Sequence, residues 1–301
     1  MSELKRGRVA ANGLTFEYLE AGEGPLALCL HGFPDTPFTY RHLLADLAAA
    51  GFRAVAPFIR GYYPTELPPL RHHVHSSVMV ADAIALGRAL GGNRDALLVA
   101  HDWSAVAAWG ALSRAPELWG RSVILNIPPF EIFGENIAKF AQIKRAFYFW
   151  FLQNHRMILD RLRHNDFELI KDLWGEWSPG FDASAELVHL RAALPTAEYV
   201  KTAISYYSAN FDPQQFGSKE WADEQEASWA GRVPQPTLYL HGTQDGCHMV
   251  TAEQLGRIRD YAGPGSEAEF VSGVGHFMLV EQPKIVNARI LQWLSASAGS
   301  R

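Results

Sequence analysis

The chain has 301 residues, 48% hydrophobic and 20% charged, which suits a globular protein with a full core in one large or two modest domains. A formal charge of −5 and a pI near 6.2 leave no basic footprint for nucleic acid, and two distant cysteines, Cys29 and Cys247, make no disulfide framework. No stretch approaches the roughly 18 uncharged apolar residues of a membrane span, and the charged start has no apolar signal-peptide run behind it, so a cytoplasmic location is expected.

Residues 7–19 read as two strands joined at Asn12-Gly13, a strong hairpin signal. Pro25-Leu-Ala-Leu-Cys-Leu30 is a continuous apolar run, as a strand buried on both faces requires, and it ends in His31-Gly32-Phe33-Pro34. A helical pattern over 37–50 closes at Gly51, and Phe52–Pro57 is the next strand, leading into Arg60-Gly-Tyr62. A helix over 76–90 precedes the strand Ala96–Ala100, and a further strand over 121–127 stops at Pro128-Pro129. Strand and helix in alternation imply a parallel sheet with helices on both faces and a site beyond the carboxyl ends of the strands.

The pattern changes near residue 130. Aromatic-rich helical stretches are expected at 135–164, 166–175, 196–210 and 219–230, with no convincing strand among them. A helical block between two strands predicts a lid over the strand ends, giving a core over 1–129 and 232–301 and a cap over 130–231. Alternation resumes with a strand at Pro236–His241, a helix over 250–261, a weaker strand at 268–271 and a last helix over 284–296.

The chemistry gathers around Val99-Ala100-His101-Asp102-Trp103-Ser104. A strand that turns sharply into a helix around one polar residue is a nucleophile elbow, and here the lifted side chain is the carboxylate of Asp102. A carboxylate nucleophile forms an alkyl-enzyme ester, which water must then hydrolyse with the help of a base and an orienting acid. Doubly wound hydrolases place these in the order nucleophile, acid, histidine. Asp245 in Gly242-Thr-Gln-Asp245 and His276 in Gly273-Val-Gly-His276 satisfy that order, each in a Gly-flanked loop after a strand. The ester oxyanion needs two backbone N–H donors, for which Trp103 and Phe33 are best placed.

These pieces, with His31-Gly-Phe-Pro34, Arg60-Gly-Tyr62 and His101-Asp-Trp103, resemble an α/β-hydrolase of the epoxide hydrolase branch over nearly the whole chain. The resemblance implies that Asp102 is the nucleophile, His276 the base and Asp245 its partner. Phe33 and Trp103 become oxyanion donors, and the bond before Pro34 is cis. It also implies two lid tyrosines that protonate the epoxide oxygen, since an unassisted alkoxide is a poor leaving group. Tyr148-Phe-Trp-Phe-Leu-Gln153 matches the first, and Tyr206-Tyr207 the second, with the register favouring Tyr207 and leaving Tyr206 open. The substrate implied is an apolar epoxide of moderate size, with water and without a cofactor; a homodimer is left open.

One departure is visible. The family usually has glycine on both sides of the elbow, where this chain has Ala100 and Ser104. Ser104 as nucleophile would put bulky Val106 in a small-residue position of the turn. Each residue also has a plainer reading: Asp102 as a helix cap, Asp245 as a turn residue, His276 as a satisfied core histidine, the tyrosines as core. His31 and His101 are expected to orient backbone, and His72-His73-x-His75 has no structural zinc spacing. A haloalkane dehalogenase shares the Asp–His–acid set but often has Asn or Trp at the place of Phe33; a non-catalytic ligand-binding protein of the same fold is the alternative from another class.

Overall fold

Residues 4–68, 74–164, 167–229 and 231–298 are described by a computed structural model. Among them, eight strands form one sheet in the order β1-β2-β4-β3-β5-β6-β7-β8. The strands are β1 (Lys5–Ala11), β2 (Leu14–Ala21), β3 (Leu26–Leu30), β4 (Arg53–Pro57), β5 (Leu97–His101), β6 (Arg121–Leu125), β7 (Thr237–Gly242) and β8 (Glu267–Val271). β1 and β2 are the expected hairpin, turning at Asn12 and Gly13, both at positive φ. β2 joins β4 antiparallel, and every later pair is parallel. Leu28, Val99, Ile124 and Leu240 are fully buried, as continuous apolar strands between two helix layers must be.

The core helices are α1 (Arg41–Ala49), α2 (Ser76–Leu90), α3 (Trp103–Arg114), α12 (Ala252–Ile258), α13 (Met278–Glu281) and α14 (Pro283–Ala298). Between β6 and β7 the chain is helical: α4 (Phe130–Ile137), α5 (Phe140–Arg145), α6 (Tyr148–Phe151), α7 (His155–His164), α8 (Glu168–Trp177), α9 (Ser184–Ala193), α10 (Ala197–Asn210) and α11 (Lys219–Trp229). This differs in detail from the sequence reading. The expected stretch 135–164 is broken into short helices, and α9, with only a thin apolar face of Leu187, Leu190 and Ala193, was not anticipated.

The inserted helices grip the loops at the carboxyl ends of the strands. The Trp174 indole donates to Pro34 O at 3.0 Å after β3, and the Tyr206 hydroxyl donates to Arg60 O at 2.6 Å after β4. At the end of α8, Trp177 O accepts the N–H groups of both Gly246 (3.1 Å) and His276 (2.9 Å), one after β7 and one after β8. The Arg41 guanidinium adds a bidentate pair to Glu186 of α9. A buried Arg60–Asp82 pair, at 2.6 and 2.7 Å, anchors the β4 loop to α2, with Asn12 donating to the same carboxylate.

Candidate active site

The turn from β5 into α3 holds Asp102 at φ 54°, ψ −128°, a backbone strain that non-glycine residues rarely adopt. That conformation puts the carboxylate at the N-terminus of α3, where the helix dipole favours negative charge by about 0.3–1 kcal/mol. The Phe33 N–H donates to Asp102 Oδ1 at 2.7 Å. Gly32 makes this approach possible, because a Cβ there would collide with the Asp102 side chain. Trp103 is the first residue of α3, where the N–H has no acceptor within the helix. The Phe33–Pro34 bond is cis, as the resemblance implies.

His276 lies behind the carboxylate, its Nε2 3.4 Å from Asp102 Oδ2 and its Nδ1 3.0 Å from Asp245 Oδ2. The other Asp245 oxygen accepts the N–H groups of Cys247 (2.7 Å) and His248 (3.0 Å), which fixes the acid. Burial alone would lower the His276 pKa, but the Asp245 charge and the Asp102 carboxylate outweigh it and raise it to about 10. Burial alone would raise Asp245, yet facing His276 it is held well below the usual carboxylate range. The two carboxyl groups that flank His276 thus favour its protonated form.

His31, His101 and His75 hold backbone in place. His31 Nε2 accepts from Ile59 N–H at 3.2 Å and its Nδ1 lies 2.9 Å from Gly32 O, while burial lowers its pKa to about 3. His101 Nε2 pairs with His276 O at 2.9 Å and is likewise pushed down by burial to about 3. His75 caps α2, accepting from Ser77 N–H at 3.2 Å, whereas His72 and His73 lie outside the described residues. Ser104 turns its hydroxyl away from the carboxylate site and donates to His31 O at 2.5 Å.

A cavity opens on Asp102 and Trp103. Tyr148 of α6 and Tyr207 of α10 line it, their rings 5.3 Å apart and nearly perpendicular. The Tyr207 hydroxyl is buried without a hydrogen-bond partner, and the Tyr148 hydroxyl meets Cys247 Sγ at 3.1 Å. Tyr206, by contrast, is committed to Arg60 O. The Gln153 amide donates to Phe149 O and Phe211 O at 2.8 Å, tying together the segments that carry the two tyrosines. The rest of the wall is mainly apolar, including Val106, Ile127, Phe133, Phe149, Phe211 and Trp229.

Two residues at this site were missed in the sequence. Asn126, at φ 71° just after β6, donates to Asp245 Oδ2 at 2.5 Å and to His276 O at 3.0 Å. An Asn closing a strand before Ile-Pro is the available signal, since Asn tolerates positive φ. Cys247 had none, because its contact with Tyr148 spans 99 residues.

A profile of the alpha/beta hydrolase family matches residues 27–289. The chain belongs to that family. Among relatives of this family member, it is 27% identical to epoxide hydrolase 4 of Mus musculus, over 95% of this chain and 78% of the other. It is 29% identical to an epoxide hydrolase of Caballeronia sordidicola, over 97% and 94% of the two chains. Among solved structures, an epoxide hydrolase from Vigna radiata superposes with a TM-score of 0.78 at 25% identity, over 98% of this chain and 99% of the other. The α/β-hydrolase fold with a helical insertion is thus common to the family member and its relatives, and no helix among the described residues is long and apolar enough to cross a membrane.

Proposed function

We propose that the protein is an epoxide hydrolase that opens an epoxide to a vicinal diol through an ester on Asp102. One observation carries this reading: a carboxylate backed by His276 and Asp245 shares a cavity with two tyrosines, one of them with a free hydroxyl. The similarity to named epoxide hydrolases along nearly the whole chain supports it. In this reading the helices over 130–231 act as the cap, supplying the tyrosines and the apolar wall.

An Asp102 oxygen attacks a ring carbon, the C–O bond breaks, and the epoxide oxygen takes a proton from Tyr148 or Tyr207. Burial pushes both phenols well above the ordinary tyrosine value, so a tyrosinate is short-lived. Ester formation removes the Asp102 charge that helps keep His276 protonated, and the imidazolium returns the proton to the tyrosine. Neutral His276 then takes a proton from water as that water attacks the ester carbonyl. The oxyanion faces the Phe33 and Trp103 N–H groups, with Pro34 and His31 shaping the loop that carries Phe33. Collapse releases the diol and restores the carboxylate–imidazolium pair, so protons and charge balance over the cycle.

The apolar wall favours an aryl or alkyl epoxide of moderate size. Phe33 has no side-chain N–H to hold a departing halide, and together with the two tyrosines this favours the epoxide over the haloalkane reading. A panel of apolar epoxides and haloalkanes tests the proposal: epoxides alone should be turned over, with Asp102→Asn abolishing the reaction. Turnover of haloalkanes alone would contradict it.

A further inference from the structure

We infer that the site also binds a borderline-soft divalent cation of the Zn²⁺ and Cd²⁺ class, held by Asp102, Cys247 and His276, and that this cation shuts the hydrolase off. One carboxylate oxygen, the Cys247 sulfur and a ring nitrogen of His276 lie within 4.8 Å of one another, and all three residues are buried. The Asp102–His276 separation of 3.4 Å is about the edge of a tetrahedron with metal bonds of roughly 2.0–2.1 Å. The Cys247 sulfur lies no more than 4.8 Å from either of the other two atoms, and its bond to a metal is longer, at roughly 2.3 Å.

The surroundings suit a metal as well as the three ligands do. His276 Nε2 faces Asp102 Oδ2, while its Nδ1 is held by Asp245, the carboxylate–histidine arrangement that orients metal-binding imidazoles. Cys247 has its own outer partner, since the Tyr148 hydroxyl at 3.1 Å can donate to a thiolate. Asp245 also accepts the Cys247 N–H at 2.7 Å, so one carboxylate braces both ligand residues. Asp102 and Cys247 both line the cavity, which gives the ion an entry path. The thiol and the imidazole bind deprotonated, their protons passing to buffer. An ion held there takes the lone pair that would attack the substrate and the nitrogen that would activate water.

Part of this rests on the proposed function, namely that occupying Asp102 stops turnover; the binding itself does not. The purified protein is titrated with Cd²⁺ and the thiolate-to-metal charge-transfer absorption is followed in the ultraviolet, with no substrate present. A parallel titration with Zn²⁺ follows epoxide turnover and its recovery on adding a chelator. One equivalent of Cd²⁺ should raise the band in the wild-type protein, and Zn²⁺ should inhibit reversibly and in competition with the epoxide. Cys247→Ser and Cys247→Val, each read against its own metal-free rate, should lose the band. Both should weaken inhibition by more than the roughly 10–100-fold that outer partners are worth. Absence of the band in the wild type, its persistence in the folded variants, or unchanged inhibition in both would overturn the inference. If the protein turns over no epoxide, the band alone still decides whether the site exists.

Discussion

The backbone N–H of Phe33 donates to Asp102 Oδ1 at 2.7 Å, joining the loop after β3 to the turn after β5. A donor aimed at the carboxylate before any reaction is already in place for the oxyanion that the ester would form there, and needs no reorganisation at that moment. The contact depends on the residue before it. A Cβ at position 32 would overlap Asp102 Oδ1, Cβ and Cγ.

Gly32→Ala should therefore force the two loops apart. Overpacking of this kind costs about 1–3 kcal/mol, so the variant should fold with a lowered melting temperature. Epoxide turnover should fall far more than stability does. Thermal melts beside initial rates check both, and a fully active Gly32→Ala would show that the Phe33 donor is dispensable.

Tyr148 and Tyr207 should share the ring-opening proton, with Tyr206 outside the chemistry. Tyr148→Phe and Tyr207→Phe together should lower the rate of ester formation by about 10²–10⁴-fold. Tyr206→Phe loses only the 2.6 Å bond to Arg60 O, which predicts a stability cost near 1 kcal/mol and little change in the chemical step. Single-turnover kinetics of the variants separate the two effects.

The His276 imidazolium gives the site a defined pH dependence. Its folded-state pKa is raised from 6.5 to about 10, so the stability it contributes is complete below about 6.5 and is lost as pH climbs through 10. Replacing Asp102 by Asn removes one of the charges responsible and should lower that value, as should the ester itself. Titration of the His276 ring by NMR in the two proteins measures the shift; equal values would remove the proton-release step.

Ser104 replaces a glycine usual in the family, and its hydroxyl is spent on His31 O at 2.5 Å. Ser104→Ala should cost about 0.5–1.5 kcal/mol by denaturant titration and leave the rate of ester formation nearly intact. Loss of ester formation in a folded Ser104→Ala protein would place the hydroxyl in the chemistry after all.

Much of this was legible in the chain because the central strands β3, β5, β6 and β7 are short, mostly apolar and closed by turn residues. The hairpin at Asn12-Gly13, the elbow at Asp102 and the loops of Asp245 and His276 all sit where local pattern decides structure. What escaped depends on long-range contact. Nothing local says that Asn126 will bridge Asp245 and His276, or that Cys247 will meet Tyr148. The breaks within 130–164 escaped for a related reason. Aromatic residues there are set by packing of Tyr148 and Phe149 against Trp177 and Phe211, which overrides a continuous helical period.

The covalent step on Asp102 is tested most directly by a single turnover of excess enzyme with an epoxide in water labelled with heavy oxygen. The first diol should carry unlabelled oxygen taken from the Asp102 carboxylate, with the label appearing in Asp102 of the recovered protein. A first diol carrying solvent oxygen, with Asp102 unlabelled, would mean that water attacks the epoxide directly and that Asp102 is not the nucleophile.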